Sequence, residues 1–247
     1  MADKPVSLPK YTSEITEIFR GFSAIFWSLP MSLITSVHTS LNSLAQTSDF
    51  AFPVASFGLM AFGAHSVRRL SIPSENRWKL IVESIRFLAV AQVMLSPFIL
   101  FHTRMAESKF FAFSILILGV FWILYFRLTI VMVGKILLRI GDSSIRRDYY
   151  WMRGFIEGSL LLVGLGWVVL FLRNYFLDAE ALPLYMLIAT PHWLGSFLLI
   201  SIIFPVTVAM NLIWKTKDLL VEYALMQDHK AQFPETFKKE SNESQVS

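Results

Sequence analysis

The chain has no cysteine. Disulfide frameworks, thiolate metal sites, iron–sulfur clusters and cysteine nucleophiles are thereby excluded together. Charge is scarce too: Asp, Glu, Lys and Arg make up 16% of the 247 residues, where a soluble domain carries about a quarter. No P-loop, GxSxG elbow, HExxH pair or dinucleotide fingerprint appears, so no motif announces a reaction. The links between apolar runs reach about 20 residues at most, at 135–154, which leaves no room for a soluble catalytic domain.

Apolar sequence fills the space left by these absences. Hydrophobic residues account for 55% of the chain, with 22 Phe and 7 Trp, and the mean hydropathy is +0.55. An excess of this size, gathered in long runs, belongs to the membrane class. The net charge of +4 comes from basic residues between those runs, which points to topology and contact with anionic lipid rather than to nucleic acid. The opening Met1-Ala2-Asp3-Lys4-Pro5 carries neither a cleavable leader nor a lipidation motif, so the first span is expected to act as its own insertion signal.

A helix needs about 20 apolar residues to cross ~30 Å of hydrocarbon. Six stretches answer to this: about 19–40, 50–66, 80–102, 110–134, 155–177 and 184–213. The first is the most polar, and the second is short and contains Pro53, Gly58 and Gly63. These two could alternatively form a re-entrant or tilted hairpin. Loop charge then sets orientation. Lys4, Lys10 and Arg20 precede the first span; Arg68, Arg69, Arg77 and Lys79 join the second to the third. Lys135, Arg139, Arg146, Arg147 and Arg153 join the fourth to the fifth, and Lys215, Lys217, Lys230, Lys238 and Lys239 follow the sixth. Seventeen basic residues on that side face three on the other, Arg104, Lys109 and Arg173. Strict alternation of this kind is what the positive-inside rule gives for six spans with both termini cytoplasmic; five or seven would break it.

The fold class expected is therefore all-α: a polytopic integral membrane bundle of six transmembrane helices, grouped as three hairpins. A single transmembrane domain covers residues 1–232, with a cytoplasmic helix over about 214–232, and a disordered cytoplasmic tail covers 233–247. Residues 12–22 place Ile15, Ile18, Phe19 and Phe22 at helical spacing, which predicts a short interfacial helix leading into the first span. In a prokaryote such a protein would sit in the cytoplasmic membrane.

Two hairpin entries look alike. Ser66-Val67-Arg68-Arg69 is followed by Trp78 and Glu83-Ser84, and Ser144-Ile145-Arg146-Arg147 by Trp151 and Glu157-Gly158-Ser159. Either the hairpin is duplicated, with an interfacial Trp anchor and a carboxylate further in, or the likeness is coincidence between independently basic loops.

Charges inside the bilayer are expensive and are therefore the most informative residues. Glu83, Arg86, Arg127 and Glu157 fall inside or at the edge of spans, at similar expected depth toward the cytoplasm. Glu83 and Arg86 share a helix face at three residues' spacing, and Arg127 and Glu157 come from the next two spans. Three readings stay open: ion pairs that lock packing, arginines that reach to the interface, or an interior cluster that binds a substrate, proton or headgroup. His38, His102 and His192 collect at the opposite face. Three imidazoles suit zinc or copper and two suit haem, but no two share a ligand spacing, so interfacial side chains are the simpler reading. Gly154-x-x-x-Gly158 fits a close helix contact, and Pro30, Pro53, Pro97, Pro191 and Pro205 each remove a helix hydrogen bond and tend to kink.

Three function classes follow. The leading one is a non-enzymatic subunit or scaffold of a membrane assembly. The second is a small transporter or channel using the Glu/Arg cluster; the third is an intramembrane cofactor-binding protein or enzyme resting on the histidines alone. No cofactor is predicted. The partners expected are the lipid bilayer, including anionic lipid at the basic cytoplasmic loops, and other protein subunits or a second copy, with no nucleic acid.

Overall fold

The computed structural model describes residues 12–41, 51–70, 76–105, 108–141, 143–176 and 192–232. Among the described residues there are helices and turns and no strand. The helices are α1 (Thr12–Leu41), α2 (Ala51–Val67), α3 (Asn76–Leu95), α4 (Pro97–Arg104), α5 (Lys109–Ile140), α6 (Ser143–Phe176) and α7 (His192–Gln232). Since α3 and α4 are one rod interrupted at Ser96, the seven helices among the described residues make six rods. Three stretches, Ile15–Thr35, Arg77–Phe101 and Lys109–Ile140, are long and apolar enough to cross a membrane, and Phe52–Val67 is apolar but shorter. At 1.5 Å per residue the 17 residues of α2 measure about 25 Å, somewhat less than a full hydrocarbon core.

The helix starts depart from the expected spans. No separate interfacial helix precedes the first one; α1 runs unbroken from Thr12. Its Ile18, Phe22, Ile25 and Leu29, spaced four, three and four apart, are fully buried in the core. The amphipathic stripe that resembled a surface helix is the inner face of a bundle helix, because its apolar side has helices to pack on. The helix expected over 214–232 is the continuation of α7, and the tail 233–247 lies outside the described residues.

Proline marks helix ends more than kinks. Pro53 falls in the first turn of α2 and Pro97 is the first residue of α4, where a missing N–H costs little. Only Pro30 and Pro205 stand inside helices among the described residues. At the α3–α4 break the Ser96 hydroxyl donates to the Val93 carbonyl at 2.8 Å. That carbonyl is the one that the absent Pro97 N–H would have served, so the break leaves it paired.

Helix order around the bundle runs α1, α2, α3, α5, α7 and back to α1, with α6 packed on α5 and α7. The α1–α2 seam is the tightest. A Cβ on Gly63 would stand 2.6 Å from Ile25 Cγ1, 2.9 Å from the Gly21 carbonyl oxygen and 3.0 Å from the Ile25 nitrogen. A Cβ on Gly21 would stand 2.7 Å from Ser66 Cβ. The two backbones meet at a pair of glycines, which admits a close crossing and with it dense van der Waals contact. Across the centre, α1 and α5 are held apart by large side chains: the Trp122 Nε1–H donates to Ser32 Oγ at 2.8 Å, and Trp122 stacks on Phe126. Ser28 opposite Tyr125 and Ser32 opposite Trp122 fix α1 and α5 as antiparallel. At the far end of α5, the Tyr149 ring of α6 occupies the notch left by Gly134.

The Gly154-x-x-x-Gly158 motif makes no close contact. Nothing lies within 4 Å of where either Cβ would be, because the pair faces outward from α6. Gly63→Ala is therefore predicted to destabilise the protein by about 1–3 kcal/mol, since two of the atoms it meets are backbone and cannot yield. Gly158→Ala is predicted to be neutral or stabilising by up to about 1 kcal/mol through helix propensity. Thermal unfolding of both variants checks the pair, and equal losses would contradict the seam described.

Candidate functional site

No Asp, Glu, Lys or Arg is buried among the described residues; the buried polar side chains are Ser, Thr and a single Gln. An ionised group loses far more hydration than a hydroxyl when it is enclosed, so charges survive at the surface and hydroxyls inside. Ser28, Ser32 and Thr35 follow one face of α1, and each donates back to its own helix, to the carbonyls of Ile25, Leu29 and Met31 at 2.7–2.8 Å. Opposite them the Tyr125 hydroxyl lies beside Ser28 and Thr129 without meeting hydrogen-bond geometry to either. Thr129 Oγ1, Ser56 Oγ and Gln92 Oε1 are likewise buried and unpaired.

The charged residues gather as surface pairs at one end of the bundle. Glu17 of α1 pairs with Arg69, just past α2. Glu83 of α3 takes two guanidiniums, Arg68 Nε at 2.9 Å and Arg86 Nη1 at 3.2 Å. On α6, Arg153 Nε donates to Glu157 Oε1 at 2.9 Å, one helical turn on. Asp148 of α6 faces Lys215 of α7 at 3.8 Å. Tyr149 extends the Arg153–Glu157 row by one turn; burial pushes its phenol above the usual range while the Arg153 guanidinium pulls it down. The Glu157 carboxylate holds the Arg153 guanidinium above its ordinary range, so that guanidinium stays charged.

The four charged residues singled out from the sequence do not form one cluster. Glu83 and Arg86 do meet. Glu157 is taken by Arg153, and Arg127 is exposed with no ion pair to a described residue. Helix register explains the separation. Glu83 is level with Arg68, beside the start of α1, whereas the Ser28–Tyr125 and Ser32–Trp122 contacts put Arg127 level with about the middle of α1. Arg127 is thus roughly two turns, about 10 Å, deeper than Glu83 at 1.5 Å per residue. Glu157 is closer to its level, because Tyr149 packs on Gly134, but it points along its own helix.

The side chains of His38, His102 and His192 lie outside the described residues. Among the described residues no group of three or more His, Asp or Glu is placed to hold a metal ion. The two similar hairpin entries sit in opposite environments. Trp78 is 3% exposed and its Nε1–H donates to the Leu70 carbonyl at 2.8 Å, while Trp151 is 81% exposed. Arg68 follows the end of α2, while Arg146 and Arg147 lie within α6. The likeness therefore has no structural counterpart.

No known protein family matches the chain, and neither does any curated protein or solved structure.

The geometry makes the exchange of charge between Arg153 and Glu157 a better test than one between Arg127 and Glu157. Arg153→Glu with Glu157→Arg is predicted to recover most of what either single change loses, with a coupling of about 0.5–1 kcal/mol for a half-exposed pair. Arg127→Glu with Glu157→Arg is predicted to show none. A double-mutant cycle on thermal unfolding reads both, and coupling confined to the Arg127 pair would contradict these contacts.

Proposed function

We propose that the chain is an integral membrane protein crossing the bilayer six times, both termini cytoplasmic, and that it serves as a non-enzymatic subunit or scaffold of a membrane assembly. The observation that carries this reading is the sorting of side chains. The described interior holds no ionised residue, while the outside carries broad apolar surface: Phe155, Leu161, Leu165 and Val169 on α6, and Leu80 and Phe87 on α3. A transport path for ions would favour charged or carboxylate groups inside the bundle, and the described ones are outside. Apolar exterior with an outward glycine edge at Gly154 and Gly158 suits lipid and the apolar flank of another subunit.

The supports for six spans are the alternation of basic links and the six rods. Ion pairs join Arg68 and Arg69 to α3 and α1, and Lys215 to the start of α6, so basic links that the alternation assigns to one side each meet a carboxylate of another helix.

A second reading, a carrier of a small polar solute, is favoured by the buried unpaired oxygens of Tyr125, Thr129, Ser56 and Gln92. Such groups normally find a partner in protein or water. Tyr125→Phe separates the two. As a scaffold the protein is predicted to tolerate it with a stability change within about 1 kcal/mol, because an unpaired hydroxyl contributes little. A carrier would lose its solute site.

Native mass spectrometry of the tagged full chain, drawn from its own host in mild detergent, tests the leading reading. It predicts stoichiometric foreign subunits; the chain arriving alone or only with copies of itself would turn the balance to transport.

A further inference from the structure

The α2–α3 corner holds more positive charge than the protein neutralises there. Arg68 and Arg86 share the one carboxylate of Glu83, and neighbouring Arg69 is taken by Glu17. Arg77 and Lys79 are exposed and make no ion pair with a described residue. Glu75 lies outside the described residues, and counting its charge still leaves the corner cationic. The first turn of α3 contains no acid, so Arg77 and Lys79 stand at the positive end of its helix dipole, where cations are unfavourable unless an anion joins them.

Directly beyond these charges, Leu80, Glu83, Ser84, Phe87 and Leu88 line an open groove of about 470 Å³. Leu80, Phe87 and Met94 continue it as one exposed apolar stripe along α3. By helical spacing, Lys79, Glu83 and Arg86 flank the stripe on one side and Arg77 on the other. The surface is thus apolar along its length, cationic at its head, and turned outward from the bundle.

We propose that this surface is a binding site for one anionic phospholipid of the cytoplasmic leaflet. An acyl chain lies along Leu80 and Phe87, and the phosphate is gripped by Arg86 and Lys79, with Arg68 and Arg77 in reach. Guanidinium forks suit phosphate oxygens, and basic pockets beside membrane helices on the cytoplasmic side take such headgroups. A lipid is favoured over a protein segment because the charged head and the apolar stripe follow one another along the axis that a membrane lipid adopts. Glu83 competes with the phosphate for the same guanidiniums, which gives the site a sign of its own: removing the carboxylate strengthens binding.

This inference rests on the membrane-spanning reading. The full chain is reconstituted into neutral phosphatidylcholine vesicles and floated on a density gradient; failure to float would undo that reading itself. Protein that floats is then extracted in mild detergent and titrated with phosphatidylglycerol or phosphatidylcholine, and retained lipid is counted by native mass spectrometry. Wild type retains one phosphatidylglycerol in preference to phosphatidylcholine. Lys79→Ala with Arg86→Ala weakens that retention about tenfold or more, given the usual worth of a basic residue near the membrane surface. Glu83→Gln strengthens it. Arg20→Ala with Arg147→Ala, which removes equal charge elsewhere at the same end, leaves it unchanged. Equal retention of both lipids overturns the proposal, as do equal losses in the two double variants, weaker binding in Glu83→Gln, or a protein chain held on this face in place of lipid. Should the Lys79/Arg86 variant not fold, the Glu83→Gln comparison decides alone.

Discussion

Among the described residues, the buried side chains of this bundle carry hydroxyls and one amide but no ionised group, and that constraint orders everything around them. Enclosing a charge costs several kcal/mol unless a partner and hydrogen bonds offset it. Each described Asp, Glu, Lys and Arg therefore lies at the surface, and on helices whose flanks are apolar the ends are where water can be reached. The pairs Glu17–Arg69, Arg68–Glu83 and Asp148–Lys215 each tie two segments at one such end. Ser28, Ser32, Thr35 and Thr216 need no such escape, because each returns its proton to a carbonyl of its own helix.

Within that uncharged interior, size decides how closely helices approach. Gly21 and Gly63 bring α1 and α2 to backbone contact, and Gly134 lets the Tyr149 ring settle against α5. Across the centre, Trp122, Tyr125 and Phe126 fill the gap between α5 and α1, and the indole hydrogen bond to Ser32 fixes their register. The same register sets Arg127 deeper than Glu83, so one pattern of small and large residues governs both the packing and the separation of the charges.

The all-helical, apolar character of the chain was legible because long apolar runs are local signals that survive without any knowledge of contacts. So was the Glu83–Arg86 pair, whose spacing of three is a helix property. The α1 start was misread as interfacial because amphipathicity does not say whether an apolar face meets lipid headgroups or another helix. Arg68 and Arg69 as partners of Glu83 and Glu17 left no trace in spacing, since those pairs cross between helices. Gly154 and Gly158 have the spacing of a contact that the rotation of α6 turns outward, and the resemblance of Trp78 to Trp151 was one of letters, the two indoles being buried and exposed respectively.

The central claim is that the basic end of this bundle faces the cytoplasm and its other end faces the opposite side of a membrane. Because the chain has no cysteine, single cysteines report their side without ambiguity. Ser108→Cys, between α4 and α5, and Ser143→Cys, at the start of α6, are each exposed to a membrane-impermeant maleimide, in intact cells and again in inside-out vesicles. The account predicts labelling of Ser108→Cys in the intact cells and of Ser143→Cys only in the inverted vesicles. Labelling of both from the same side would contradict it.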